Sequence, residues 1–177
     1  MHRLDPQSLP AHVDTLYRVA RALCDSAHDA EDLVQETFVR VLAKPRLVRE
    51  DDRVYLMRAL RNTYFNQRRT AGRRPVAAAP LEGHEPAESR TASQPEQAAM
   101  MQDLYEAIGK LPEDFRFALV AVDLVGLSYA EAGRAAGARE ATIATRVYRA
   151  RQRLAAELRE ADGKDQAPQS VISDEHA

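Results

Sequence analysis

The sequence predicts an all-α protein, two small helical domains joined by a flexible linker, and three observations carry that reading. The 177-residue chain has seven glycines and no tryptophan, and it is rich in Ala, Leu, Arg and Glu, residues that favour helices. Short alternating Val/Ile/Thr runs of the kind that mark strands are scarce. The stretch Gly72 to Gln97 is built of Pro, Gly, Ala, Ser and Glu with no sustained apolar periodicity, the composition of an inter-domain linker. The expected units are 1–75, a linker over 76–97, a second unit over 98–160, and an acidic tail over 161–177 expected to be disordered. Each folded unit is small enough to be marginal alone.

The first helix is expected from about Leu9 to Cys24, with Val13, Leu16, Tyr17, Ala20 and Leu23 at helical spacing and the lone Cys24 as a small core residue. Asp29 reads as the N-cap of a second helix that turns Leu33, Val34, Phe38, Val41 and Leu42 inward and stops at Pro45. After the polar connection Arg46 to Asp52, a third helix carries Leu56, Leu60 and Tyr64 at four-residue steps, with Met57 at the margin. In the second unit Met101, Leu104, Tyr105 and Ile108 mark one helix. Pro112 at N1, followed by Glu113 and Asp114, opens another that ends near Gly126. Ser128 and Glu131 match a capping box, Gly137 supplies a tight turn, and the last helix turns Ile143, Val147, Ala150, Leu154 and Leu158 inward. The second unit therefore ends in a helix, a turn and a helix.

The formal net charge of −2 conceals an uneven distribution. Arg58 to Arg74 holds six arginines and no acid, and Arg139 to Arg153 holds five arginines against Glu140 alone. On the third helix Arg58, Arg61, Asn62, Phe65 and Arg69 fall opposite the apolar stripe, so an aromatic ring stands among arginines. Single-stranded nucleic acid is held in that way, with bases stacked on the ring and guanidinium groups along the phosphates. On the last helix Ala141, Thr145, Tyr148, Arg149 and Gln152 face outward with Arg146 and Arg153 on the flank, a mixture suited to a major groove.

Other classes fit less well. No stretch approaches the roughly 20 apolar residues that span a bilayer, and the N-terminus lacks an apolar signal region, so a cytoplasmic protein is expected. The histidines His2, His12, His28, His84 and His176 never pair at helical ligand spacing, so no metal site and no cofactor are expected, nor a small-molecule substrate.

With these residues in view, the chain resembles the extracytoplasmic-function (ECF) branch of the sigma-70 family, bacterial transcription factors that retain two helical domains, regions 2 and 4. The likeness covers about Leu16 to Pro75 and Leu104 to Leu158. Its strongest segment, Asp29 to Leu42, is similar to the part that docks on RNA polymerase, which implies core contact through Asp32, Gln35, Glu36 and Thr37 on its polar side. Tyr55 to Asn62 and Tyr64 to Arg69 resemble the part that melts and reads the −10 element. That likeness implies DNA contact by Arg53, Tyr55, Arg58, Arg61, Asn62, Phe65, Asn66 and Arg69. Val48 through Arg53 corresponds to the connection that holds a flipped base. Leu127 to Glu131 and Ala141 to Arg151 are similar to region 4, implying −35 contacts by Arg139, Thr142, Ala144, Thr145, Arg146, Tyr148 and Arg149. The family usually has Trp at Tyr55, and Lys or Arg at Ala144. The second departure removes a bidentate guanine contact and implies a weakly specified −35 element. Core RNA polymerase, promoter DNA and an inhibitory anti-sigma factor are the partners the resemblance implies; no catalysis is.

Two rival readings remain on the residues. A stand-alone helix-turn-helix regulator would need only the second unit, and it leaves the Asp32, Gln35 and Glu36 face unused. Asp25, Asp29, Asp32 and Glu36 share a helical spacing that could hold magnesium in a nuclease, although acids at a helix start more commonly complement its dipole.

Overall fold

Pro10, with its φ already fixed, opens α1 (Pro10–Leu23), which buries Leu16, Val19, Ala20, Ala22 and Leu23 along one stripe. The computed structural model describes residues 2–43, 47–71 and 95–165. Helix α2 (Ala27–Ala43) starts two residues before Asp29, and its cap is Ser26: the Asp29 amide donates to Ser26 Oγ at 3.0 Å and Ser26 Oγ donates back to the Asp29 carboxylate at 2.7 Å. Asp29 thus closes a reciprocal box from the third helical position instead of capping. Pro45, expected to stop this helix, lies outside the described residues. A two-residue antiparallel pair, β1 (His2–Arg3) with β2 (Leu47–Val48), leads to α3 (Asp52–Ala71).

Leu33, Val34 and Val41 of α2 and Leu56, Met57, Leu60 and Tyr64 of α3 are buried, which bears out most of the predicted stripes. The stripe of α2 is rotated from expectation at two positions. Leu42 is exposed, and Thr37, expected on the outer polar side, is 0 % exposed and donates its hydroxyl to the Leu33 carbonyl at 2.7 Å. A threonine that satisfies its own hydroxyl one turn back behaves as an apolar residue toward the core. On α1, Val13 is likewise turned outward.

Helix α4 (Pro95–Gly109) begins inside the stretch read as linker, of which residues 72–94 lie outside the described residues. Pro112 stands just ahead of α5 (Glu113–Leu119), whose C-terminal end widens into a π turn, Val120–Leu124. Gly126, at φ +77°, ends it. Ser128 caps α6 (Tyr129–Ala136) with both bonds of the capping box present, and Gly137 ends it at φ +65°. Helix α7 (Glu140–Asp165) buries Ile143, Val147 and Ala150, and it runs on into the segment expected to be a disordered tail.

The two units are packed on each other. Helix α3 lies against α6, and α1 against α4 and α5. Their apolar residues, from Leu16 and Leu60 to Phe117 and Ile143, join in one cluster. Arg116, 8 % exposed, pins the seam: its guanidinium donates to the Leu23 carbonyl at the end of α1 at 2.9 Å, to the Leu111 carbonyl at 3.1 Å and to the Gly109 carbonyl. An arginine of the second unit therefore satisfies a C-terminal carbonyl of a helix in the first.

Candidate nucleic-acid interface

The outer face of α2 carries Asp32 and Gln35, both exposed, with His28 Nε2 3.5 Å from the Asp32 carboxylate. Glu36 holds Arg40 at 2.6 Å across one turn. Thr37 is absent from this face, for the reason given above, so three of its four expected residues stand together. Three of the four carboxylates that could suggest a magnesium site have other partners: Asp29 is engaged by Ser26, Asp32 by His28 and Glu36 by Arg40.

At the start of α3, Asp51 acts as the cap. Its carboxylate accepts the Arg53 amide at 2.9 Å, a bond that holds the carboxyl below its usual range, and it also accepts Arg53 Nε at 3.1 Å. Tyr55 is half-buried against the core. Asn62 is exposed, and Asn66 accepts from Arg69 one turn on. Phe65 sits edge-on to Tyr64, with ring centroids 5.3 Å apart, and the Arg61 guanidinium lies 4.5 Å from its centre. It is half-buried rather than free, so the ring has a packing role as well as an open edge.

Three arginines of α3 are paired with acids that sequence periodicity did not single out. Arg58 is ion-paired with Glu50. Arg61 lies 3.3 Å from Asp114 and 5.5 Å from the centre of the Phe117 ring. Arg68 lies 3.0 Å from Glu113. Arg73 and Arg74 of the basic run fall outside the described residues.

In the second unit, α6 and α7 meet at about Gly137. Gly133 makes this close approach possible, because a Cβ there would stand 2.7 Å from the Ala138 carbonyl oxygen. Arg139 just ahead of α7 and Thr142, Thr145, Tyr148 and Arg149 along its first turns are exposed, Tyr148 to 65 %. Ala144 is half-buried, and Thr145 donates its hydroxyl to the Ala141 carbonyl at 3.0 Å. Arg146 is turned back to Asp114 at 2.8 Å, away from the outward row. Arg151, not among the expected contacts, makes a two-pronged pair with Asp123 at 2.6 and 2.9 Å.

Cys24 lies at the seam beside Arg116. Burial, with Asp29 and Asp25 nearby, pushes its thiol up to about 12 from 9.0. At pH 8 the thiolate is scarcer than in the unfolded chain by about a thousandfold, so alkylation by iodoacetamide should be slow until denaturant is added. Equal rates with and without denaturant would contradict this placement.

Among the described residues no helix is long and apolar enough to cross a membrane. Comparison with known families matches sigma-70 region 2 to residues 10–74 and sigma-70 region 4 to residues 101–154. The ECF RNA polymerase sigma factor SigE of Mycolicibacterium smegmatis is 37 % identical over 81 % of this chain, which spans 57 % of that protein's length. EcfG of Rhodopseudomonas palustris is 33 % identical, with 92 % of this chain and 89 % of the relative covered. Among solved structures, the sigma factor RpoE of Bartonella quintana, in complex with the anti-sigma factor NepR, superposes with a TM-score of 0.67 at 28 % identity, covering 86 % of this chain and 95 % of that one. The capped helix-turn-helix, the arginine-bearing α3 and both region matches together place this chain in the ECF group of the sigma-70 family: it is a sigma factor.

Proposed function

We propose that this sigma factor, acting in the cytoplasm and without catalytic chemistry of its own, binds core RNA polymerase through Asp32, Gln35 and Glu36 and directs initiation at specific promoters. Arg58, Arg61, Asn62 and Phe65 then engage the −10 strand, with Arg53, Tyr55, Asn66 and Arg69 flanking it. The exposed row Arg139, Thr142, Thr145, Tyr148 and Arg149 enters the −35 major groove, with Ala144 and Arg146 at its border. The observation that carries this reading is the pairing in one chain of an aromatic ring among arginines on α3 with a capped helix-turn-helix whose second helix exposes short polar and basic side chains. An anti-sigma factor, like the one bound to the Bartonella relative, is the expected inhibitory partner.

Run-off transcription with bacterial core polymerase and a promoter library tests the reading directly. No promoter-dependent transcript, together with no binding to core, would defeat it. A finer prediction concerns Phe65. Stacking one base on an aromatic ring contributes about 1–3 kcal/mol, so Phe65→Ala should lower strand opening by about tenfold or more while core binding is kept. Equal losses in both would show that the ring only packs.

A further inference from the structure

Three neighbouring positions at the start of α7 have no hydrogen-bond donor to offer a base. Ala141, Thr145 and Tyr148 follow one another along one face of the helix, and Ala144 stands beside them. The two alanines end in methyl groups. Thr145 donates its one hydroxyl proton to the Ala141 carbonyl at 3.0 Å, which leaves it a lone pair and a methyl group for anything outside the helix. Most arginines of this run are held inside the same unit: Arg146 by Asp114 at 2.8 Å, Arg151 by Asp123 at 2.6 Å, and Arg153 over the Phe115 ring at 5.2 Å. Arg139 and Arg149 have no such partner among the described residues, and by helical phase Arg149 stands on the side of Thr145 away from Ala144.

A guanine presents two acceptors, N7 and O6, to the major groove, whereas a thymine presents a 5-methyl group that packs on apolar side chains. Opposite Ala141, Ala144 and Thr145 a guanine would lose water from both acceptors and gain no donor in exchange. We infer that these three residues specify adjacent A·T pairs in the −35 element, with thymine 5-methyl groups seated on the Ala141 and Ala144 methyls and an adenine amine donating to Thr145 Oγ1. The inference rests on the region 4 reading of α7, and it turns the missing guanine contact at Ala144 into a positive preference. From Ala141 to Thr145 the helix rises about 6 Å, which covers about two base-pair steps of roughly 3.4 Å. Arg139 and Arg149 then serve the flanking phosphates, which fix position without naming a base.

The test uses the full chain with bacterial core polymerase on synthetic linear promoters. Selection from duplexes randomised through the −35 element should return two adjacent A·T pairs. Replacing one of the selected thymines with deoxyuridine removes a methyl group and nothing else, so it should weaken holoenzyme binding about fourfold, while the same replacement in the spacer should change nothing. Ala144→Arg supplies a two-pronged donor and should shift one of these pairs to guanine. A selected element without adjacent A·T pairs would overturn the inference, as would an Ala144→Arg holoenzyme that transcribes with unchanged preference. Equal binding of the uracil and thymine duplexes would overturn it as well, since the pairs would then be read through groove shape. The uracil comparison uses the unaltered chain, so it decides the matter even if Ala144→Arg fails to fold. Failure of the region 4 reading is distinguishable, because selection then returns no preferred base anywhere upstream of the −10 element.

Discussion

Replacing Gly133 with valine should destabilise the helix-turn-helix by about 3 kcal/mol and abolish duplex binding, because no room exists for a side chain where α6 meets the turn. A Cβ alone would stand 2.7 Å from the Ala138 carbonyl oxygen, with the Glu140 amide nitrogen at 3.6 Å. The obstructing atoms are backbone, so relief requires moving the turn itself. The Ala138 amide also donates to the Gly133 carbonyl at 2.9 Å, and that bond is strained by the same displacement. For a domain of this size the cost corresponds to a melting temperature lower by roughly 12 °C or more. Calorimetry and a −35 duplex titration read it; a melting point within about 2 °C of wild type would show that the turn yields freely.

The second large effect is expected at Arg116. Arg116→Met keeps the length of the side chain and removes every donor, leaving the carbonyls of Leu23, Gly109 and Leu111 without this partner at a buried seam. Losing bonds from a charged donor to buried carbonyls should cost about 3 kcal/mol. The loss should appear at both units at once, since Leu23 ends α1 and Gly109 ends α4. Amide exchange should quicken at the last turn of α1 and at the start of α5. Acceleration confined to α5 would mean that Arg116 serves its own unit only.

Local chemistry made much of this fold legible. Ile143, Val147 and Ala150 recur at helical spacing and are buried, while Ser128 with Glu131 and the left-handed Gly137 mark boundaries that short-range bonds alone determine. Where the reading failed, polarity stood in for burial. Thr37 is expected outside because it is polar, although its hydroxyl finds the Leu33 carbonyl and the residue is fully buried. Asp29 has the chemistry of a cap, but Ser26, three residues upstream, takes that position. The exposed row of α7 could be read from the helical wheel, whereas Arg116 could be suspected only from its place in the otherwise apolar run Phe115 to Val122. Glu113 and Asp114 signal a helix start, but the pairing of Glu50, Glu113 and Asp114 with arginines of the other unit is not legible, since periodicity cannot report a pairing between domains.

The pairing of Arg58 with Glu50 and of Arg61 with Asp114 has a consequence for how substitutions in this protein would be scored. Arg58 and Arg61 each hold a carboxylate here, and under the proposed −10 reading each would also have to hold a phosphate. Deleting either arginine weakens both at once, so the two losses partly cancel in any assay of promoter output. A saturation scan would rank these positions as tolerant, and their weight would emerge only in double substitutions that remove the competing acid first.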